Sequence, residues 1–585
     1  MEVVRATPDR PCIIYGDRIY TFKETNERVN AMANAFLGMG IKKGDKIAAG
    51  LYNSPQILET WYAAFKIGAV GVNIDYRLVG NEIQQILEDS DARVLVLDRD
   101  LIETARSMRS KLSKLEYYIV VGKKTEEMLD YETLIDKYPK TEPKIDWEVE
   151  PKDLAMLLYT GGTTGLPKGV MHTHESNLGV EDSFVISGIA MGAVKTITES
   201  DKYKDVIDGM LESAVKMLPI TIPKSLISAI ARIAKMDLIR TILSRSSIQK
   251  FIEDMGYAVW RRPAIVSTLL RFVPVKHCIP IPLIHGAAWY GGGGLCPISG
   301  ITLVLLPSKH FDARELLEMT ERYKINMWGI VGGKFTKMIL DVPNLDAYDL
   351  SSLIMVGSTA APWNPEMKAK LHELLPAVIF TDHLGLSENP SISTGVYFKG
   401  DDYSKVGTGD MEAKVVDEEG KPVKPGETGT IIARGAGGLG YYKNPEKSKE
   451  TWLGDGWVSS GDMGTVDEKG KIIVYGRGSE VINSAGKKIW AEEVEEVIET
   501  HPKIEDLVVV GVPDPEWGES VMVVIKLKEG KEATKEEIID YCRDKIASFK
   551  KPRYAEFVEE LPLLPFGKIR RGIVKDMYRD YLARR

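Results

Sequence analysis

Residues 157–170 read LLYTGGTTGLPKGV, and how this stretch is read decides the rest of the chain. It begins inside LAMLLYT (154–160), an apolar run with the length and composition of a buried strand. The run stops abruptly in glycines and threonines packed around Pro167 and Lys168. Glycines leave backbone N–H groups open to close approach, threonine hydroxyls add donors, and a lysine adds charge. Together these are the parts of a phosphate cradle, so the loop predicts a polyphosphate ligand. It is not the GxxxxGK[ST] loop, which needs Gly-Lys-Ser/Thr, because Pro167 precedes Lys168 and Gly169 follows it. The plain alternative is a flexible hairpin, which would leave that donor chemistry without a use.

Upstream of the loop, strand-like runs (KIAAGLY, ARVLVLD) alternate with helical patterns (NERVNAMANAFLGMG, NEIQQILEDS), the rhythm of a layered α/β domain. That style continues to about residue 400. From VGTGDMEAKVVDEEGKPVKPGETGTIIARG onward, short strands with Gly, Pro and Asp turns predict a small antiparallel β unit. Near the end, DLVVVGV and SVMVVIKL predict paired strands. Thr534 with Glu537 forms a capping box opening a helix that carries Ile538, Tyr541 and Ile546 along one face.

At 585 residues the chain exceeds the roughly 250–300 residues at which a single core stops growing. Two domains are expected, residues 1–476 and 477–585, with the boundary near Arg477. Residues 180–275 form a separate expectation. Leu226, Ile230 and Ile233 fall at helical spacing among Lys and Arg, predicting a helical extra region that packs on the main lobe, forms a homo-oligomer contact or lies on a membrane surface.

A net charge of −8 argues against a nucleic-acid partner, which needs a clustered basic surface. Cys12, Cys278, Cys296 and Cys542 show no CxxC or Cys/His spacing, so neither a disulfide framework nor a structural zinc site is indicated. MEVVRATPDRP lacks a basic region followed by an apolar core, and no stretch approaches the roughly eighteen apolar residues of a transmembrane segment. A cytoplasmic protein is the expectation.

The segment DLAMLLYTGGTTGLPKGVMHTH (153–174) resembles the signature of the adenylate-forming superfamily: acyl-CoA synthetases, firefly luciferase and the adenylation domains of peptide synthetases. That pattern reads YT[SG]GTTGxPKG, and Gly161 stands where serine is commoner. Further matches run in order along the chain: TPDRPCIIYGDRIYTFKETNERVN, IPLIHGAAW, GSTAAPWNPE, HLGLSE, GWVSSGDMG, YGRGSEVINSAGKKIWAEEVEEV and LPLLPFGKIRR. The resemblance implies an α/β fold with a large multi-layered N-terminal domain, made of two α/β sheet subdomains and a small β-barrel. A small mobile α+β C-terminal domain follows.

It also implies a two-step reaction. A carboxylic acid attacks the α-phosphate of ATP and expels pyrophosphate; a thiol then attacks the acyl-adenylate. Two unit charges about 4 Å apart repel by roughly 4 kcal/mol at an effective dielectric near 20, so the site must supply cations and donors where charge gathers. By resemblance, Thr160, Gly161, Gly162, Thr163, Thr164, Gly165 and Lys168 hold the β- and γ-phosphates, with Thr163 counted as catalytic. Glu388 binds Mg²⁺, for which a hard oxygen ligand is suited. Thr359, Ala360 and Ala361 line the adenine, as do His383, Leu384, Gly385 and Ser387. Asp462 accepts the ribose hydroxyls, Arg477 supports ribose or phosphate, and Lys568 is the catalytic lysine gripping carboxylate and α-phosphate together. Taken singly, Glu388 reads as a solvated loop acid and Asp462, after Gly461, as a turn aspartate.

Three positions depart from the family pattern. The hinge position holds Ser479 in place of Asp or Lys, the adenine-stacking aromatic is Leu384, and Ser387 replaces threonine. An aliphatic stacking partner resembles some fatty-acid and steroid-acid CoA ligases. His285, Gly286 and Trp289 fall at the acyl and coenzyme A site. No carrier-protein segment with a serine attachment site is present in the sequence, which favours free coenzyme A as acceptor. A medium-chain, long-chain or bulky cyclic monocarboxylic acid is the expected substrate. A catalytically silent nucleotide sensor, an adenylating ligase with another acceptor and an oxidative luciferase share the same motifs.

Overall fold

The computed structural model describes the chain apart from residues 1, 79, 161–166, 179–274, 295, 362, 391, 404–411, 436, 469, 471, 485–486, 544, 563–568, 570 and 583–585. The expected helical region at 180–275 therefore lies almost wholly outside the described residues. The described chain falls into two compact units, the first holding residues 1–160, 167–412 and 434–458, the second residues 413–433 and 459–585. Among the described residues, no helix is long and apolar enough to cross a membrane.

The first unit is built on two sheets. One runs in the order Leu129–Asp130, Tyr117–Val121, Ala92–Asp98, Lys46–Gly50, Val70–Asn73, Leu154–Thr160, Lys168–Thr173. Its neighbours are parallel until the last pair, which is antiparallel. The other runs Ser393–Tyr397, Ile379–Leu384, Met355–Ser358, Met327–Ile330, Lys276–Cys278, Thr302–Leu305, Pro11–Tyr15, Arg18–Thr21, parallel inside and antiparallel at both edges. Parallel strands covered on both faces read as near-continuous apolar runs, which is why VLVL within Ala92–Asp98 is buried throughout.

Side-chain alternation divides the second sheet between two cores. Ile13, Leu303 and Leu305 join one core, while Ile14, Val304, Trp328, Val356 and Phe380 point into the other. Helix Phe22–Gly38 starts where Thr21 accepts a hydrogen bond from the Glu24 backbone N–H at 3.1 Å, and buries Val29, Met32, Ala33 and Phe36.

Helix Pro365–Leu374 has proline in its first turn and Asn364 as N-cap, accepting from the Glu366 N–H at 2.8 Å. It carries a fully buried lysine: Lys368 Nζ lies 2.7 Å from Asp382 Oδ2 and 4.4 Å from the centre of the Tyr397 ring. Removing one partner of such a pair strands a charge in the core. Lys368→Met is therefore expected to cost about 3–5 kcal/mol of stability, most of which Lys368→Met with Asp382→Leu should restore. Urea unfolding of both variants measures this; equal losses would show that the pair is not the source.

In the second unit, Ile504–Asp514 and Gly518–Leu527 pair antiparallel, as the apolar runs predict. Val481–Ser484 and Lys487–Trp490 extend that sheet, and Tyr554–Phe557 joins it parallel to Gly518–Leu527. Helix Ala491–Glu499 lays Val494 and Ile498 on the core, and Thr534 caps Lys535–Tyr541 by accepting from the Glu537 N–H at 3.1 Å. The expected architecture, a large α/β domain with a smaller α+β one, is the one observed.

Candidate active site

In open α/β sheets, ligands bind beyond the carboxyl ends of the parallel strands. The candidate residues of the first unit lie there. Thr160 ends Leu154–Thr160, Thr359 follows Met355–Ser358, and His383 and Leu384 end Ile379–Leu384. Gly161, Gly162, Thr163, Thr164, Gly165 and Lys568 lie outside the described residues. The loop's flanks are informative all the same. Thr160 pairs with Lys168 in antiparallel register, so a second strand, and not a helix, follows the glycine loop. A ligand at this strand end would therefore meet no helix N-terminus of the kind that opens other phosphate loops.

Lys168 and Glu388 meet through a residue that the sequence reading passed over. The Lys168 ammonium stands 5.6 Å from the centre of the Tyr441 ring, and the Tyr441 hydroxyl donates to Glu388 Oε1 at 2.5 Å. Residues 439–442 are pinned alongside Lys168–Thr173 by the Met171 N–H to Gly440 oxygen, Leu439 N–H to Met171 oxygen and Tyr442 N–H to Gly169 oxygen bonds. The Gly438 N–H donates to the Glu388 carbonyl oxygen at 2.9 Å, and His172 Nε2 donates to the Ser387 carbonyl oxygen at 2.8 Å. Burial pushes His172 down to about 4, so it stands neutral. Among the described residues, no group of three or more His, Cys, Asp or Glu side chains could hold a metal ion. Magnesium commonly takes one or two carboxylates plus substrate phosphate oxygens, and a half-buried Glu388 fits that pattern.

Asn73 fastens the strand end at Thr160 to the segment leading into His285. Its Oδ1 accepts from the Tyr159 N–H at 2.6 Å, while Nδ2 donates to the carbonyl oxygens of Tyr159 (3.1 Å) and Ile284 (2.9 Å). One buried carboxamide thus joins the residue before Thr160 to the residue before His285. Gly286 lies close enough to the other candidates that a Cβ there would be 3.4 Å from Ser387 Oγ. Trp289 is fully buried, with ring centres 4.9 Å from Trp61 in an edge-to-face pair, so its bulk serves core packing.

Just past the end of Met355–Ser358, Ala360 adopts φ 72°, a left-handed conformation costing an L-residue about 1–2 kcal/mol. Such strain concentrates at functional sites. His383 is held by Thr394 Oγ1 at Nδ1 and Thr381 Oγ1 at Nε2, both at 3.0 Å, and burial pushes it down to about 3.

In the second unit, Asp462 and Arg477 are direct cross-strand partners on Trp457–Val466 and Ile472–Arg477. Asp462 is a buried strand residue, not the turn aspartate that Gly461 suggests, and its N–H donates to Ser460 Oγ at 3.0 Å. Ser479 falls in a short 3-10 turn, Gly478–Glu480.

The chain is similar to a Mycolicibacterium smegmatis protein named medium/long-chain-fatty-acid--CoA/3-oxocholest-4-en-26-oate--CoA ligase, 31% identical over 97% of this chain and 93% of that one. It is also similar to a 3-oxocholest-4-en-26-oate--CoA ligase of Rhodococcus rhodochrous, 30% identical over 97% and 93%. Its fold matches a crystal structure of an anthranilate CoA ligase in complex with anthranoyl-AMP, with a TM-score of 0.75 and 23% identity over 100% of this chain and 97% of that one. Residues 493–568 match the AMP-binding enzyme C-terminal domain. Residues 1–207 and 264–442, which bear the hairpin, Glu388 and His285, match the AMP-binding enzyme itself, and the chain belongs to that family.

Proposed function

We propose that this protein is an ATP-dependent acyl-CoA synthetase that converts a carboxylic acid to its acyl-adenylate, releases pyrophosphate and passes the acyl group to coenzyme A. The observation that carries the reading is the convergence of Lys168, Tyr441 and Glu388 beside the strand end at Thr160, in a chain of the AMP-binding family. The proposed acid is a medium- or long-chain fatty acid or a bulky cyclic acid, since the relatives at 30% and 31% identity are named for fatty and steroid acids.

In this reading Thr160, Lys168 and the loop between them hold the β- and γ-phosphates. Mg²⁺ bound at Glu388 would neutralise charge shared between the phosphates. Asp462 takes the ribose hydroxyls, and Thr359 to Ala361 with His383 to Ser387 border the adenine. His285 borders the acyl carboxylate. Lys568, in a C-terminal domain placed at 477–585, serves the adenylation half alone.

Pyrophosphate release with ATP, Mg²⁺ and a panel of carboxylic acids of graded length and ring content tests the proposal. Acid-dependent release followed by acyl-CoA formation is expected. Nucleotide binding without turnover would identify a sensor, and light or oxygen uptake an oxidative enzyme. Tyr441→Phe removes a hydrogen bond to a charged group worth about 1.5–3 kcal/mol, so the Mg²⁺ requirement of adenylation should rise by roughly 10- to 100-fold. A magnesium titration at fixed ATP reads this, and an unchanged midpoint would remove Tyr441 from the site.

A further inference from the structure

Just past the carboxyl end of Val70–Asn73, the sequence NIDYR folds into a compact charged turn. Asp75 Oδ1 accepts from the Arg77 backbone N–H at 3.0 Å and from Arg77 Nε at 3.1 Å. The guanidinium also lies 4.9 Å from the centre of the Tyr76 ring. Held in this way, Arg77 places Nη2 2.9 Å from His285 Nε2, and the same imidazole nitrogen lies 3.4 Å from Asp75 Oδ2.

These distances decide where the imidazole proton resides. A guanidinium has donors only and does not lose its charge in proteins. A proton on His285 Nε2 would set two donors against each other at 2.9 Å, with only a longer contact to Asp75 in return. A bare Nε2 accepts from Arg77, and the proton belongs on Nδ1. We propose that Arg77, braced by Asp75, is a positioning residue that fixes His285 as the neutral Nδ1–H tautomer at the acyl end of the site.

Burial and then the Arg77 charge push His285 down to about 3, in keeping with that state. Among the described residues, the charged groups facing the ring are Arg77 and Asp75, with Glu82 acting on Asp75. A neutral ring brings no charge to the reacting end. It forms no ion pair that would hold an incoming carboxylate in its ground state, and it does not protonate an attacking thiolate. This use of the ring rests on the acyl-CoA synthetase reading; the tautomer itself rests on geometry alone.

The full chain with ring-¹⁵N histidine tests the inference. Its eight histidines include His285, whose resonances are identified by their loss in His285→Gln. Bare Nε2, protonated Nδ1 and no titration from about pH 8 to 5 are expected in the wild type, since an unperturbed histidine titrates near 6.5. In Arg77→Met the resonance should titrate within that range or shift to the Nε2–H form. Acyl transfer from supplied acyl-adenylate should then fall by about 10- to 100-fold in kcat, the scale of a misplaced reacting group, while the KM for ATP, read separately in the adenylation half reaction, shows no matching rise. Arg77→Lys, a point charge lacking the two-pronged geometry, should restore little of this.

A wild-type His285 that titrates between these limits or carries its proton on Nε2 overturns the proposal. So does an Arg77→Met spectrum identical to wild type. Should Arg77→Met not fold, the wild-type spectrum decides alone. Failure of every acid to release pyrophosphate would instead remove the synthetase reading and leave the tautomer standing.

Discussion

Lys568→Ala is expected to lower acid-dependent pyrophosphate release by about 10²- to 10³-fold while leaving acyl transfer from supplied acyl-adenylate within about threefold of wild type. The asymmetry follows from charge. In the first half reaction a carboxylate approaches a phosphate, each such pair repelling by roughly 4 kcal/mol at 4 Å and an effective dielectric of 20, which corresponds to about three decades in rate. The second half reaction starts from a mixed anhydride whose acyl carbon no longer faces that repulsion. Lys568 itself lies outside the described residues, but the chain just beyond it is anchored. Arg571 donates to Glu480, to Glu492 at 2.8 Å and to Glu495 at 2.7 Å, tying that stretch to helix Ala491–Glu499 and to the turn containing Ser479. Stopped assays of each half reaction separate the roles. Equal losses in both halves would mean that Lys568 supports the fold or binds a ligand common to the two steps.

What could be seen in the sequence was local, and what escaped it was made by the sheets. The strand LAMLLYT, the pairing of DLVVVGV with SVMVVIKL and the Thr534 cap each follow from periodicity or from residues a few positions apart. Tyr441 escaped because it meets Glu388 only when residues 439–442 lie along Lys168–Thr173, an edge contact with no period of its own. Asp75 and Arg77 escaped for a similar reason. Val70–Asn73 is central in its sheet, and Asn73 draws in Ile284 from more than two hundred residues away. A usable signal was present: polar residues crowded behind an apolar strand, NIDYR after VGV, mark the carboxyl end where a parallel sheet meets its ligands. The Trp289–Trp61 edge-to-face pair is likewise made by the fold, joining residues more than two hundred positions apart with no local pattern to announce it.

Acidification should unfold the protein over a narrow range between about pH 6.5 and 5, and buried neutral histidines are the reason. Burial holds His172, His277 and His372 near 4, and His285 and His383 near 3, all in the first unit. Each is engaged as a neutral ring. His372 shows why: Nε2 donates to the Val378 carbonyl oxygen at 2.9 Å, Nδ1 accepts from the Tyr403 hydroxyl at 2.7 Å, and the ring stacks on Phe380 at 3.5 Å. Their folded pKa values lie below the unfolded value near 6.5, so the unfolded chain binds more protons through this window and stability falls as pH falls. One such group costs about 2 kcal/mol by pH 5, and five cost about 10 kcal/mol, comparable to the whole stability of a typical domain. Burial also raises the carboxyls of Glu59, Asp75 and Asp382, which works in the opposite sense: each binds its proton in the folded protein at a higher pH than in the unfolded chain, so these three groups offset part of the loss from the five histidines. Urea unfolding at half-unit pH steps measures the slope, which His372→Gln should reduce by about one proton. A stability that stays level from pH 7 to 5 would mean that these rings take up protons in the folded protein, and that the neutral state assigned to them, His285 included, is wrong.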